Sequence, residues 1–223
     1  MSSDQELIQH VANLIDEALA ENVAIKGVSI GTEIATNIYS KFKPNVKEFN
    51  DLELIASATS FQYISKNLFT HITKNNMRST FVTVEDNIVL IDIVKEVSAA
   101  MVLDRKFAEM EGLEKYQRLL KDLLLKISAF VETSGLIRED PLVEIMRAVP
   151  SAFFLAIVSK EGLPIKIIDN GNIQGPMVGS QISALSNLTE VMLKQQMDYS
   201  LIQGNGANIL VVQFDSERIL ALS

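Results

Sequence analysis

The side chains able to do chemistry are few and scattered. His10 and His71 are the only imidazoles, and each falls on a helical pattern without a second histidine or a close carboxylate pair at ligand spacing. Neither a metal set nor an acid–base pair is implied. Cysteine is absent, which removes disulfides, thiolate zinc ligands and a cysteine nucleophile. No Gly-x-Ser-x-Gly elbow exposes a serine, and no Gly-x-x-x-x-Gly-Lys-Ser/Thr loop cradles a nucleotide phosphate. Gly204-Asn205-Gly206 lies between two strand-like runs and reads as a hairpin turn. Asp92 is the odd residue of an apolar run, where a carboxylate must be solvated, paired or protonated; a place near the exposed end of a strand meets that need. Asn187-Leu188-Thr189 matches a glycosylation sequon inside a helical run and reads as a chance match. The sequence therefore points to no catalytic residue, no cofactor and no metal.

The elements around these residues follow from periodicity. Ser3 and Glu6 make a capping-box start to a helix over 4–20 carrying Leu7, Val11, Leu14, Ile15, Ala18 and Leu19. Residues 23–29 and 33–39 read as a hairpin about Gly31-Thr32. After a polar loop holding Pro44, Asn50 caps a long helix with Glu53 at N3, and Phe49 with Leu54 forms a hydrophobic staple. Leu54, Ala58, Phe61, Leu68 and Ile72 make one stripe, widened by Ile55, Tyr63 and Phe69, so that helix is covered on more than one side. Closely spaced strands follow at 79–84, 87–95 and 98–104, a spacing that implies antiparallel neighbours. The middle one is almost wholly apolar, which places helices on both sheet faces. A single long helix then runs from Phe107 through Val131, and Gly135 marks the domain boundary.

The same order returns. Asp140-Pro141 starts a short helix ended by Pro150. Residues 152–159 and 163–169 flank Glu161-Gly162 as a hairpin, 178–196 is a helix, and strands fall at 199–204, 208–214 and 218–222. Asn87-Ile88-Val89-Leu90-Ile91-Asp92 matches Asn208-Ile209-Leu210-Val211-Val212-Gln213 at an offset of 121, whereas Val28-Ser29 and Val158-Ser159 register at 130. The difference falls in a surface loop, where two copies of a module diverge most freely. The expected domains are 1–134 and 135–223.

Composition sets limits on partners. Acidic side chains number 28 against 20 basic ones, for a net charge of −8, and residues 1–134 carry 19 acids and 14 bases while 135–223 carry 9 and 6. With no basic run to neutralise phosphates, nucleic acid is an unfavourable partner, and simple docking to anionic lipid is disfavoured too. The polar, acidic N-terminus is no secretory signal. No apolar stretch reaches the ~18 residues a membrane span needs, so direct membrane insertion is not expected. Absence of cysteine suits a reducing cytoplasm, with membranes reached through a partner.

Leu142-x-x-Ile145-x-x-x-Val149-Pro150, then apolar 153–158, then Ser159-Lys160-Glu161-Gly162-Leu163-Pro164-Ile165, resembles the start of a roadblock (dynein light chain) domain. Residues 209–212 and Arg218-Ile219-Leu220-Ala221-Leu222 look like that family's fourth and fifth strands. The first half shares the element order more than the residues and is similar also to longin-like domains. The resemblance implies an α+β fold of two tandem roadblock-like modules. Each would have a five-stranded antiparallel sheet, one long helix on one face and the first and last helices on the other. The second copy stops after its fifth strand with no evident closing helix, which leaves three readings: a truncated chain, one long helix serving both modules, or a face left open.

Family members dimerise through sheet edges and long helices and bind or regulate small GTPases. The resemblance thus implies a non-enzymatic adaptor or regulator of a small Ras-like GTPase that forms a homodimer or an intramolecular pseudo-dimer. Residues 79–84 and 199–203 become outermost strands. Thr80-Phe81-Val82-Thr83 lacks the charge or proline that blunts an edge, so we read it as an edge open to pairing. The expected interface residues are Phe61, Tyr63, Leu68, Phe81 and Val82 in the first copy and Leu185, Leu188, Tyr199 and Ile202 in the second. Arg78, Arg105, Arg118, Arg138, Arg147 and Arg218 show no arginine-finger pattern, so any acceleration of hydrolysis would come from ordering the GTPase's own residues. The alternative expectation is a small-molecule sensor with an apolar pocket between sheet and long helix.

Overall fold

Asn50 shows how local chemistry sets the elements: its side chain accepts hydrogen bonds from the backbone N–H of Leu52 (3.0 Å) and Glu53 (3.4 Å), which fixes the start of a helix. The structure, a computed structural model of the 223-residue chain, describes residues 3–46, 49–74, 77, 79–134, 141–169, 175–204 and 206–223. It divides into two compact units, Met1–Ile137 and Arg138–Ser223. Asp140 and Gly135 lie outside the described residues.

Unit 1 runs α1 (Ser3–Glu21), β1 (Ile25–Thr32), β2 (Asn37–Phe42), α2 (Asp51–Thr73), β3 (Thr80–Thr83), β4 (Asn87–Val94), β5 (Val97–Asp104), α3 (Arg105–Glu111) and α4 (Leu113–Ser134). Its antiparallel sheet has the order β2-β1-β5-β4-β3. Successive strand residues point to opposite faces, and both faces are filled. Ile88 and Leu90 of β4 join Val28 and Ile30 of β1 beneath Ile15 of α1 and Leu124 and Ile127 of α4. Val89 and Ile91 point the other way, to Ala100 and to Leu54 and Ala58 of α2. The apolar run in β4 is thus explained by helices on both sides.

Unit 2 runs α5 (Pro141–Ala148), β6 (Phe154–Ser159), β7 (Pro164–Asp169), α6 (Gly175–Leu193), β8 (Tyr199–Gln203), β9 (Asn208–Gln213) and β10 (Arg218–Leu222), with the sheet order β7-β6-β10-β9-β8. Both sheets therefore have the same strand order. Ile182 of α6 packs on Phe154, Ala156 and Val158 of β6, Val211 of β9, and Ile219 and Ala221 of β10.

Several expectations are corrected. The first hairpin turns after Thr32, where Ala35 donates to the Thr32 carbonyl (2.9 Å) and takes φ 62°, rather than at Gly31-Thr32. Gly31 lies within β1, and its lack of a Cβ serves the approach of α2, since a Cβ there would come 2.6 Å from Ile55 Cγ1. The single helix expected from Phe107 is two: Asp104 caps α3 through the Phe107 N–H (3.2 Å), and Gly112 at φ 88° separates α3 from α4. Ser3 lies inside α1 rather than before it. Phe49 stacks on Phe42, with ring centroids 5.9 Å apart, so its ring has a partner other than the expected staple with Leu54. Helix α6 spans Gly175–Leu193, earlier at both ends than 178–196.

The internal match at offset 121 is also displaced. Ile88 faces α1 and α4, whereas Ile209 lies on the α6 side of its sheet. Likewise Val28 faces α1 and α4 while Val158 faces α6. Ile91 pairs with Ala100, nine residues on, but Val211 pairs with Ala221, ten residues on. Each sequence match is thus out of register by an odd number of residues, which puts the matched side chains on opposite faces: paired to Ala100 and Ala221, Ser29 answers to Ala156 in β1 and β6, and Ile91 to Val211 in β4 and β9.

Candidate functional site

Two strand edges and two helices carry the candidate interface. β3 pairs on one side only, Thr80 to Ile91, Phe81 to Leu90, Val82 to Val89 and Thr83 to Ile88, and ends its sheet. Helix α2 packs through Ile55, Ala58 and Thr59 in its first half, and the Thr59 hydroxyl donates to the Ile55 carbonyl (2.8 Å). From Lys66 onward its described side chains are exposed, and these include apolar Leu68 (59%) and Ile72 (68%). An open groove of about 600 Å³ lies between this free end of α2 and β3, lined by Leu68, Phe69, Ile72, Met77, Thr80 and Phe81.

Of the residues expected in the first copy, Leu68 and half-exposed Phe81 meet in that groove. Phe61 is exposed on α2 outside the groove lining, and Tyr63 is half-buried. Val82 packs with Val89 against the Ile91 and Ala100 cluster, so the fold itself accounts for it. Met77 sits in the α2–β3 connection, where no periodic pattern marks it in the sequence.

In unit 2, β8 ends its sheet, pairing only with β9 from Tyr199–Val212 to Gln203–Asn208. Leu185 and Ile202 line a cavity of about 250 Å³ between α6 and the sheet. Leu188 and Tyr199 are exposed and stand outside its lining. Four of the expected residues are thus gathered as two pairs, one pair in each unit, and the other five are not.

The polar groups are held in structural contacts. Arg105 pairs with Glu109 (2.8 Å) and donates to the Val84 carbonyl (3.2 Å). Arg118 pairs with Glu114 (3.4 Å). Arg218 is buried, bonded to Asp215 (2.7 Å) and stacked over Phe214. Arg147 is also engaged, and Arg78 and Arg138 lie outside the described residues. His10 stacks on Phe130 at 4.4 Å, and the side chain of His71 lies outside the described residues. Among the described residues no cluster of His, Asp or Glu is arranged to hold a metal ion.

Asp92 sits on the α1 and α4 side of β4, half-buried, with its Oδ1 accepting from the Ile93 N–H (2.9 Å). Desolvation raises its carboxyl above the ordinary value, opposed by that hydrogen bond and by Lys121. Tyr116 is fully buried on α4 and donates to Glu111 (2.6 Å), which also receives Lys115 (2.6 Å). Burial, followed by the nearby Glu111 carboxylate, pushes the phenol well up, and the bonds from Lys115 and Tyr116 hold Glu111 below its usual range. This cluster spans the Gly112 break and fixes the start of α4. Gly204 donates to the Ala207 carbonyl (3.0 Å) and Gly206 takes φ 97°, which makes the glycine element a β8–β9 turn.

No protein-family model matches the sequence, and no curated protein sequence matches it. Solved structures do match. An MglB with tetrameric arrangement superposes with a TM-score of 0.50 at 13% identity, over 57% of this chain and 92% of that one. Myxococcus xanthus MglB gives 0.49 at 14%, over 60% and 95%. A Roadblock/LC7 domain from Streptomyces avermitilis gives 0.46 at 7%, over 53% and 95%. At such identities the likeness is one of fold, and the fold is roadblock-like: two five-stranded antiparallel sheets flanked by helices.

Proposed function

We propose that this protein is a non-enzymatic adaptor or regulator of a small Ras-like GTPase, working through sheet edges and long-helix surfaces. The observation that carries this reading is the coincidence, at one margin of unit 1, of the outer strand β3 with the exposed apolar end of α2. An outer strand offers backbone donors and acceptors, and adjacent apolar side chains supply the desolvated contact that makes a partner's strand or helix stay. The roadblock resemblance supplies the partner class, and the tetrameric arrangement of the similar MglB supports assembly of copies through surfaces of this kind. Arg105, Arg118, Arg147 and Arg218 are all engaged. Among the described arginines none stands free as a finger, which favours an effect on hydrolysis that acts by ordering the GTPase's own catalytic residues. The protein works in the cytoplasm and reaches membranes through its partner.

The test is equilibrium binding to purified small GTPases of the source cell, each loaded with GDP or with a non-hydrolysable GTP analogue. Binding that differs between the nucleotide states, with or without a changed hydrolysis rate, supports the reading. Failure of every such GTPase to bind in either state overturns it.

A further inference from the structure

In unit 1 helix α2 packs on β1, β2, β4 and β5, and Leu54 and Ala58 fill the space above Val89 and Ile91. In unit 2 helix α6 packs chiefly on β6, β7 and β10. It is drawn toward the β6–β7 turn by glycines: a Cβ on Gly179 would lie 2.4 Å from the Gly162 carbonyl oxygen. On the side toward β8 and β9 a cavity of about 250 Å³ is left between Ile182 and Leu185 of α6 and Ile209, Val211 and Ala221 of the sheet.

The space is half open to solvent, with exposed Phe153, Ile202 and Ile209 on its lining, and it is many times a single water's share of about 30 Å³. An apolar guest entering it removes both its own surface and this lining from water. Its lining is apolar except for Gln181 and Ser223. The Ser223 backbone is already occupied, its N–H donating to Phe154 (3.0 Å) and its carbonyl accepting from Phe153 (2.8 Å). Its hydroxyl oxygen is buried and has no hydrogen-bond partner. A buried hydroxyl without a partner is costly, and a guest's polar end at that point removes the cost. No lysine, arginine or histidine lines the cavity, so a guest carboxylate would be desolvated without a counter-charge.

We infer that this cavity binds an uncharged apolar molecule with one hydrogen-bonding group, of the class of a medium-chain alcohol, with its polar end at Ser223. The probes are 1-octanol and octanoate, titrated into the full chain at pH 7 by calorimetry with thermal unfolding in parallel. Saturable one-to-one binding of 1-octanol with a raised Tm, and octanoate at least ~10-fold weaker, is the expected result. Ser223→Ala should weaken 1-octanol about fivefold, the worth of one neutral hydrogen bond, and Ala221→Leu, which occupies the cavity, should abolish binding. Non-saturable uptake, equal affinity for octanoate, or 1-octanol binding unchanged in Ser223→Ala overturns the inference. Should Ala221→Leu fail to fold, Ser223→Ala decides.

Discussion

The two units share a strand order and differ in how their long helices meet the sheet. In unit 1, α2 lies over β4 and β5 with Leu54 and Ala58 filling the interface, and its last turns run free beside β3. In unit 2, α6 keeps close to β6 and β7, carries buried Gly179, Ser183 and Ser186, and leaves space over β9. One architecture thus yields an open apolar margin in one copy and a half-open apolar pocket under the helix in the other. The difference teaches that side-chain size along the long helix, more than strand order, decides what each module offers a partner.

Substitutions that change the filling break this comparison most strongly. Leu124→Ala on α4, at a fully buried site of unit 1, is expected to cost about 3 kcal/mol, read as a fall in the urea midpoint. Next come matched enlargements. Ala100→Leu is fully buried beside Ala58 and Ile91 and should cost about 2 kcal/mol through overpacking. Ala221→Leu has the cavity to grow into and should stay within ~0.5 kcal/mol of the parent. Equal losses in the two would show that unit 2 is as tightly filled as unit 1. Asn50→Ala removes the α2 cap and should cost about 1 kcal/mol, seen in chemical denaturation.

The smallest effect concerns pH. A carboxyl raised by desolvation keeps its proton in the folded state to higher pH than in the unfolded one. Asp92 therefore adds no penalty well below its ordinary value of 3.8, and stability declines as pH rises from there through the folded value. Asp92→Asn should remove that decline, leaving the variant relatively more stable at pH 7 than at pH 3.5 when both are followed by thermal unfolding.

Much of the fold was legible because apolar spacing dictates it. The covered β4 run and the Asn50 cap follow from residue type and spacing, while the outer position of β3 and β8 was expected from the roadblock resemblance. The register between copies was not legible. Ile88 and Ile209 look alike in sequence, yet the strand pairing shifts the two copies by an odd number of residues and so puts them on opposite faces. Gly112 was missed as a helix break because the apolar period continues across it. At the candidate site, Leu68 and Phe81 could be named from a wide apolar stripe and an unblunted edge; the stripe, expected to be covered, is exposed within the chain at Leu68 and Ile72, and Val82 on the same strand as Phe81 points into the core. Met77 and the cavity above Ala221 depend on distances between elements, which no spacing within one element encodes.

The account stands most directly on one measurement: the affinity of purified small Ras-like GTPases, in GDP and GTP-analogue forms, for the parent protein and for Phe81→Asp. The prediction is preference for one nucleotide state in the parent and at least a ~10-fold loss in the variant, since a charge at a desolvated contact is heavily penalised, with the circular-dichroism spectrum and Tm unchanged. Binding that ignores the nucleotide, or that survives Phe81→Asp intact, would contradict it.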